Sequence, residues 1–153
     1  MPDRIAVIGI GGSGKSTYAR GLAKATGLPL VHMDALFWRG AWEAVPEAEY
    51  LEAHARLVAE DRWIIEGYVD VALAGRLQAA DRIIDLDPPG WLCAARVIRR
   101  WWTHRGRARP ELPPEARERL SLRFLWTVLT RAERPAIDAA LAGVDPARIE
   151  RRR

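Results

Sequence analysis

The segment Gly9-Ile10-Gly11-Gly12-Ser13-Gly14-Lys15-Ser16 carries the sharpest chemistry in the chain. Its spacing fits G-x-x-x-x-G-K-[ST]. The glycines let the backbone curl until successive N–H groups point inward, a concave seat for phosphate oxygens. A helix beginning directly after the loop adds its positive end. In such a seat Lys15 reaches the β- and γ-phosphates of a nucleoside triphosphate, and the Ser16 hydroxyl ligates Mg²⁺. Gly9, Gly11, Gly12, Ser13, Gly14, Lys15, Ser16 and Thr17 are therefore the expected nucleotide-binding residues, with ATP and Mg²⁺ as cofactors. At the chain's own composition such a match arises by chance about 6 times in 10,000.

A second set is basic. Of 24 lysines and arginines only Lys15 and Lys24 are lysine. Residues 88–110 hold Arg96, Arg99, Arg100, Arg105, Arg107 and Arg109 and no acid, while the whole chain carries +4. The rest is thus mildly acidic, and the positive charge is one local patch suited to an anionic ligand. Phosphoryl transfer spreads negative charge over equatorial oxygens, which fork-shaped guanidinium groups stabilise. Arg96 and Arg100 lie one helical turn apart on a shared face. Arg107 and Arg109 fall in a stretch rich in glycine and proline. With Lys15 and Asp34, these four arginines are the expected catalytic set. The bland reading is a solvated basic face, and a third is a grip on nucleic acid, with Trp101 and Trp102 stacking on bases.

Three acids follow apolar runs. Asp34 is placed to orient or deprotonate an acceptor hydroxyl, or to cap a helix. Glu66 and Asp87 are rival candidates to hold Mg²⁺ through water, or strand-end caps. Arg76 and, more weakly, Arg131 are candidates for an acceptor phosphate. Phe37, Trp38 and Trp42 suit stacking on a flat substrate or packing beneath a helix. His32, His54 and His104 lack metal-ligand spacing and read as structural. The one cysteine, Cys93, excludes an intrachain disulfide and a cysteine cage and reads as a small buried hydrophobe.

These residues need elements to hold them. Residues 4–8, Pro29–Met33, Trp63–Ile65 and 81–86 read as short buried strands, and 147–151 as a last one. Helices are expected over 14–26, ending at Gly27, over 46–60 with Leu51, His54, Ala55 and Val58 on one face, and over 90–104. Residues 105–114, with Gly106, Pro110, Pro113 and Pro114, must be a loop. Residues 115–142 read as helical, broken near Pro135. Strands buried on both faces and alternating with helices predict an α/β fold with a parallel sheet. Ligands then sit at the carboxyl ends of the strands, which gathers Gly9–Ser16, Asp34, Glu66 and Asp87 on one edge. At 153 residues the chain fits a single domain, 1–153. No run approaches the ~18–20 apolar residues of a membrane span. The start, Met1-Pro2-Asp3-Arg4, does not read as a cleavable signal, so a cytoplasmic protein with no membrane partner is expected.

The phosphate loop, the segment Leu28–Trp38 with Asp34, the run Trp63–Tyr68, the strand end Leu86-Asp87 and the segment Arg105-Gly106-Arg107-Ala108-Arg109-Pro110 resemble the small P-loop kinases: adenylate kinase, shikimate kinase and gluconate kinase. They resemble in particular an adenylate-kinase-like group often labelled "DNA topology modulation protein", over most of the chain. The resemblance implies the P-loop NTPase fold, with a five-stranded parallel sheet in the order 2-3-1-4-5 and an arginine-rich lid at about 105–114. Departures matter too. His32 stands where shikimate kinases carry the first acid of an Asp-x-Asp pair, and Glu66-Gly67-Tyr68 replaces their Gly-Gly-Gly turn, which speaks against shikimate. Ser16 follows Lys15 where adenylate kinases usually have Gly-Thr. The expected function is transfer of the γ-phosphoryl group of ATP·Mg²⁺ to a small acceptor, a nucleotide first and a hydroxyl compound second. The alternative is an ATP-hydrolysing protein that binds nucleic acid.

Overall fold

The computed structural model describes residues 2–153. In chain order the elements are β1 (Arg4–Gly9), α1 (Lys15–Thr26), β2 (Leu30–His32), α2 (Met33–Phe37), β3 (Trp38–Arg39), β4 (Glu43–Ala44), α3 (Glu47–Val58), β5 (Trp63–Glu66), α4 (Leu73–Ala79), β6 (Arg82–Leu86), α5 (Gly90–His104), α6 (Leu122–Leu129), α7 (Arg134–Leu141) and β7 (Ile149–Arg152). Five strands form one parallel sheet in the order β2-β5-β1-β6-β7, while β3 and β4 make a separate antiparallel hairpin. Counting only the large sheet's strands along the chain, the order is 2-3-1-4-5, as the resemblance implied.

The central strand explains why the sheet is covered on both sides. Residues 5–9 of β1 are all buried. Ile5 and Val7 face one layer with Ile64, Ile84 and Leu86, closed by Ala19, Tyr18 and Leu22 of α1. Ala6 and Ile8 face the other with Ile65 and Ile83, closed by residues of α3, α4, α5, α6 and α7 such as Tyr50, Leu77, Val97, Val128 and Ile137. Each such aliphatic side chain contributes roughly 1.5–3 kcal/mol by leaving water. Register puts Val7 opposite Glu66 and Gly9 opposite Leu86, so the loop after β1 and the end of β5 share one edge.

Local expectations hold at α1, which stops where Gly27 turns left-handed and its N–H bonds the Ala23 carbonyl at 2.8 Å. Three expectations need correction. The second strand ends at His32, and Asp34 sits in the first turn of the short helix α2. Helix α3 buries Tyr50 and His54 while Leu51 and Ala55 face solvent, because the adjoining apolar surface lies one position around the helix. Residues 115–121 are not helical. The irregular stretch runs from 105 to 121, pinned by bridges between Arg105 and Glu118 and between Ala108 and Arg117. The break in the following helical run falls at 130–133, and Pro135 sits at the start of α7, where its missing N–H costs nothing. Among the described residues no helix is long and apolar enough to cross a membrane.

Candidate active site

The loop between β1 and α1 closes tightly against α5. A side chain at Gly12, which has φ 73°, would put its Cβ 2.4 Å from the Cys93 carbonyl oxygen, so only glycine fits. Gly14, at φ 94°, delivers the chain into the first turn of α1. Arg96 of α5 donates to the Ser13 carbonyl at 3.1 Å and braces the loop. The Ser13 hydroxyl is buried with no hydrogen-bond partner among the described residues. Lys15 donates to the Ile10 carbonyl at 2.9 Å. Burial holds its ammonium below the usual lysine range, against the pull of Glu66, Asp34 and Glu133.

At the end of β5 the Glu66 carboxylate accepts from the Ser16 hydroxyl at 2.9 Å and stands 2.6 Å from His32 Nδ1. Burial alone would raise the Glu66 carboxyl, but the His32 contact, the Lys15 charge and the Ser16 hydroxyl outweigh it and hold it below its ordinary value. Two hard oxygen donors side by side, next to a phosphate seat, suit Mg²⁺, which takes few protein ligands and fills its octahedron with phosphate oxygens and water. Ser16 and Glu66 therefore fit the ion. Asp87 does not join them: its carboxylate is engaged by Arg131 and by Arg134. Among the described residues no three His, Cys, Asp or Glu side chains cluster as a self-sufficient metal cage.

The phosphate loop, Lys15, Ser16 and Glu66 line one cavity of about 1160 Å³ together with Asp34, Trp38, Trp42 and Tyr68. Burial pushes the Asp34 carboxyl above the usual carboxylate range; the Arg109 guanidinium opposes that shift and Glu66 adds to it. Arg96, Arg100 and Arg109 of the expected catalytic set line the cavity, but Arg107 does not; it is exposed, and its backbone is tied to His104 and Glu118. Arg76 is also elsewhere. It is 0% exposed and donates to Asp70 and to the Tyr68 carbonyl, so it shapes the turn after β5 and has no path to an acceptor. Phe37 packs edge-on against Trp38 and Tyr50. Trp42 donates through Nε1 to the Arg117 carbonyl at 2.9 Å.

Stretch 105–121 lies across this cavity and is tied down on each side. Arg20 of α1 pairs with Glu111, Trp42 holds the backbone at Arg117, and Arg100 reaches Glu118 from α5. Sequence reasoning missed three residues here. For His32, which lacks metal-ligand spacing, the fold alone reveals the contact of Nδ1 with Glu66. Glu118, 3% exposed at its side chain, accepts from both Arg100 and Arg109. Glu133 accepts from the Gly11 N–H at 3.2 Å, a carboxylate resting on an amide of the phosphate seat. The alternation of sign in 117–119 was the only available hint for Glu118; nothing local marks Glu133.

Solved structures of like shape decide the fold. A shikimate kinase from Acinetobacter baumannii in complex with shikimate superposes with a TM-score of 0.54 at 19% identity, over 89% of this chain and 78% of that one. The YorR protein from Bacillus subtilis, in complex with phosphorylated GDP, gives 0.59 at 14%, over 97% and 84%. The fold is that of the shikimate-kinase-like P-loop proteins. A shikimate kinase from Bacteroides thetaiotaomicron agrees, at 0.54 and 14%, over 90% and 80%. No protein-family model and no curated protein matches the chain. At these identities the likeness concerns the fold, and the narrower adenylate-kinase-like group stays a resemblance of sequence.

Proposed function

We propose that the protein transfers the γ-phosphoryl group of ATP to a small acceptor, with residues 105–121 as the lid. The observation that carries this is the convergence of the phosphate loop, Asp34 and the Arg100–Arg109 pair on one cavity. Loop amides and Lys15 hold the β- and γ-phosphates. Ser16 and Glu66 would hold Mg²⁺, which when bound neutralises charge on the phosphate oxygens. Arg100 and Arg109 face charge that develops on the transferring group, and Arg96 keeps the loop in shape. The stretch over the cavity excludes water, which would otherwise compete for the phosphoryl group.

A nucleotide acceptor is supported by Trp38 and Trp42 in the cavity lining: the rings are 5.4 Å apart and inclined at 75°, so one of them can lie flat against a base. A specific observation favours a second reading. A half-buried carboxyl with a raised pKa, Asp34, is suited to accept a proton from an attacking hydroxyl, whereas a phosphate nucleophile needs no such base. The nucleic-acid reading has less behind it: the arginines gather on the cavity that the phosphate loop lines, and Arg105 lies over the rings of Trp101 and Trp102.

The test is Mg²⁺-dependent ADP production against a panel of nucleoside monophosphates and small hydroxyl compounds. Lys15→Ala is expected to abolish it and to weaken ATP binding; turnover that survives the change refutes the phosphate-loop reading. With the stimulating acceptor found, Asp34→Asn separates the two readings. A collapse of kcat points to a hydroxyl, and a near-normal kcat to a phosphate oxygen.

A further inference from the structure

Among the described residues, Glu118 is the one carboxylate that touches two arginines of the proposed transfer machinery. Its side chain is 3% exposed. Oε1 accepts from Arg100 Nε at 3.0 Å and Oε2 from Arg109 Nε at 2.8 Å. Arg100 comes from α5 and Arg109 from the stretch over the cavity, so one side chain joins the scaffold to that stretch. The bonding atoms matter. Each guanidinium is gripped at Nε, on the side nearest its own stem. Among the described residues, no Nη of Arg100 or Arg109 makes a hydrogen bond, and both arginines line the cavity.

Burial first, and repulsion from the neighbouring Arg109 guanidinium second, hold Arg100 below the usual arginine range, with Glu118 pulling the other way. An uncompensated pair would splay toward water. A buried carboxylate between them offsets part of the repulsion and fixes both planes at once, because its two oxygens lie in one rigid plane. It uses one donor of each arginine and leaves the outer N–H groups for a ligand.

We propose that Glu118 is a positioning residue, which sets Arg100 and Arg109 as a two-fork clamp for the phosphoryl group in transit. The proposal rests on the phosphotransferase reading and deepens it. Preorganised donors are effective because they need not reorient as charge develops. A clamp out of place by ~1 Å forfeits up to ~100-fold in rate. The opposite role, a latch that neutralises the arginines until a ligand arrives, predicts the opposite sign.

The experiment compares wild type with Glu118→Gln, Glu118→Ala and Glu118→Asp. Glutamine keeps the shape but offers one acceptor oxygen and one NH₂, so it can receive only one arginine and confronts the other with a donor. Two readouts are taken on the full chain: ATP turnover, resolved into kcat and KM, and affinity for Mg²⁺·ADP with and without aluminium fluoride, a mimic of the group in flight. In Glu118→Gln, kcat is expected to fall roughly 10- to 100-fold with KM for ATP within about threefold. The gain in affinity that aluminium fluoride gives ADP should shrink by a like factor, and Glu118→Asp should lie above both other variants. Wild-type kcat and fluoride affinity in Glu118→Gln, or faster turnover as for a latch, overturns the role of Glu118 alone. A parallel loss of ADP affinity without fluoride shows a merely structural residue and also overturns it. A wild-type protein that binds neither ATP nor the ADP–fluoride pair refutes the phosphotransferase reading itself.

Discussion

Two clusters in this molecule are built from the same parts and used in opposite ways. Behind the sheet edge, Arg134 has its donors engaged. Nη1 and Nη2 bind Asp85 at 2.8 and 2.7 Å, Nε and Nη2 bind Asp138 at 3.0 and 2.6 Å, and Asp87 lies within 3.3 Å of Nη1. Arg151 adds a second cation on Asp85, and Arg131 another on Asp87. Over the cavity, Arg100 and Arg109 share Glu118 and each commits only Nε. A guanidinium whose donors are all engaged is a structural joint; one with donors left over, facing a cavity, is a tool. Burial does not separate the two cases, since Arg134 and Arg109 are both largely covered.

That difference can be broken by mutation. The largest effect belongs to Arg134→Ala, which strands the fully buried Asp85 carboxylate beside Arg151 alone. Stability should fall by about 3–5 kcal/mol, as for a broken buried pair, measured by denaturant unfolding. A change under ~1 kcal/mol, the worth of an exposed pair, would mean the joint is not one. Next is Arg109→Ala. Glu118 keeps Arg100 and only one hydrogen bond is lost, so stability should fall by less than for Arg134→Ala, while kcat drops on the order of 100-fold and ATP affinity is nearly kept. Equal losses of stability and rate would erase the distinction between joint and tool.

The smallest effect sharpens the comparison through pH. Asp34 is a half-buried acid that, among the described residues, lacks the engaged partners Asp85 has, and its folded pKa lies above the ordinary value. Below the ordinary carboxylate range both states are protonated and burial costs nothing. Above the raised folded value the ionised carboxylate destabilises the fold. Asp34→Asn should therefore melt higher at neutral pH, by ~2–4 °C, with the gain vanishing as the pH falls through that window, even if turnover is lost. A lower melting temperature at pH 7 would show that Asp34 is held by favourable contacts after all.

How far the sequence could be read follows the same line between local and non-local. The loop Gly9–Ser16 is legible because its chemistry is contiguous, and Glu66 because a short apolar strand ends on it. Asp34 was placed one element too early, since Pro29–Met33 carries strand-like residues up to Met33 while the chain turns helical there. The stretch Glu115-Ala116-Arg117-Glu118-Arg119 has helix-forming composition, and bridges to 105 and 108 override it. Arg76 had the right type and an inviting distance from Glu66, but only the fold reveals Asp70 beside it. Glu118 and Glu133 find their partners 9 to 122 residues away, beyond any local pattern.

The most direct test follows the γ-phosphoryl group itself. ATP labelled at the γ position is mixed with the protein and Mg²⁺ in a single turnover, with nucleoside monophosphates or hydroxyl compounds present, and the label is traced. The account predicts label on an added small acceptor, at a rate far above hydrolysis and lost in Lys15→Ala. Label found only in inorganic phosphate whatever small acceptor is offered, with release stimulated by DNA or RNA, would contradict it.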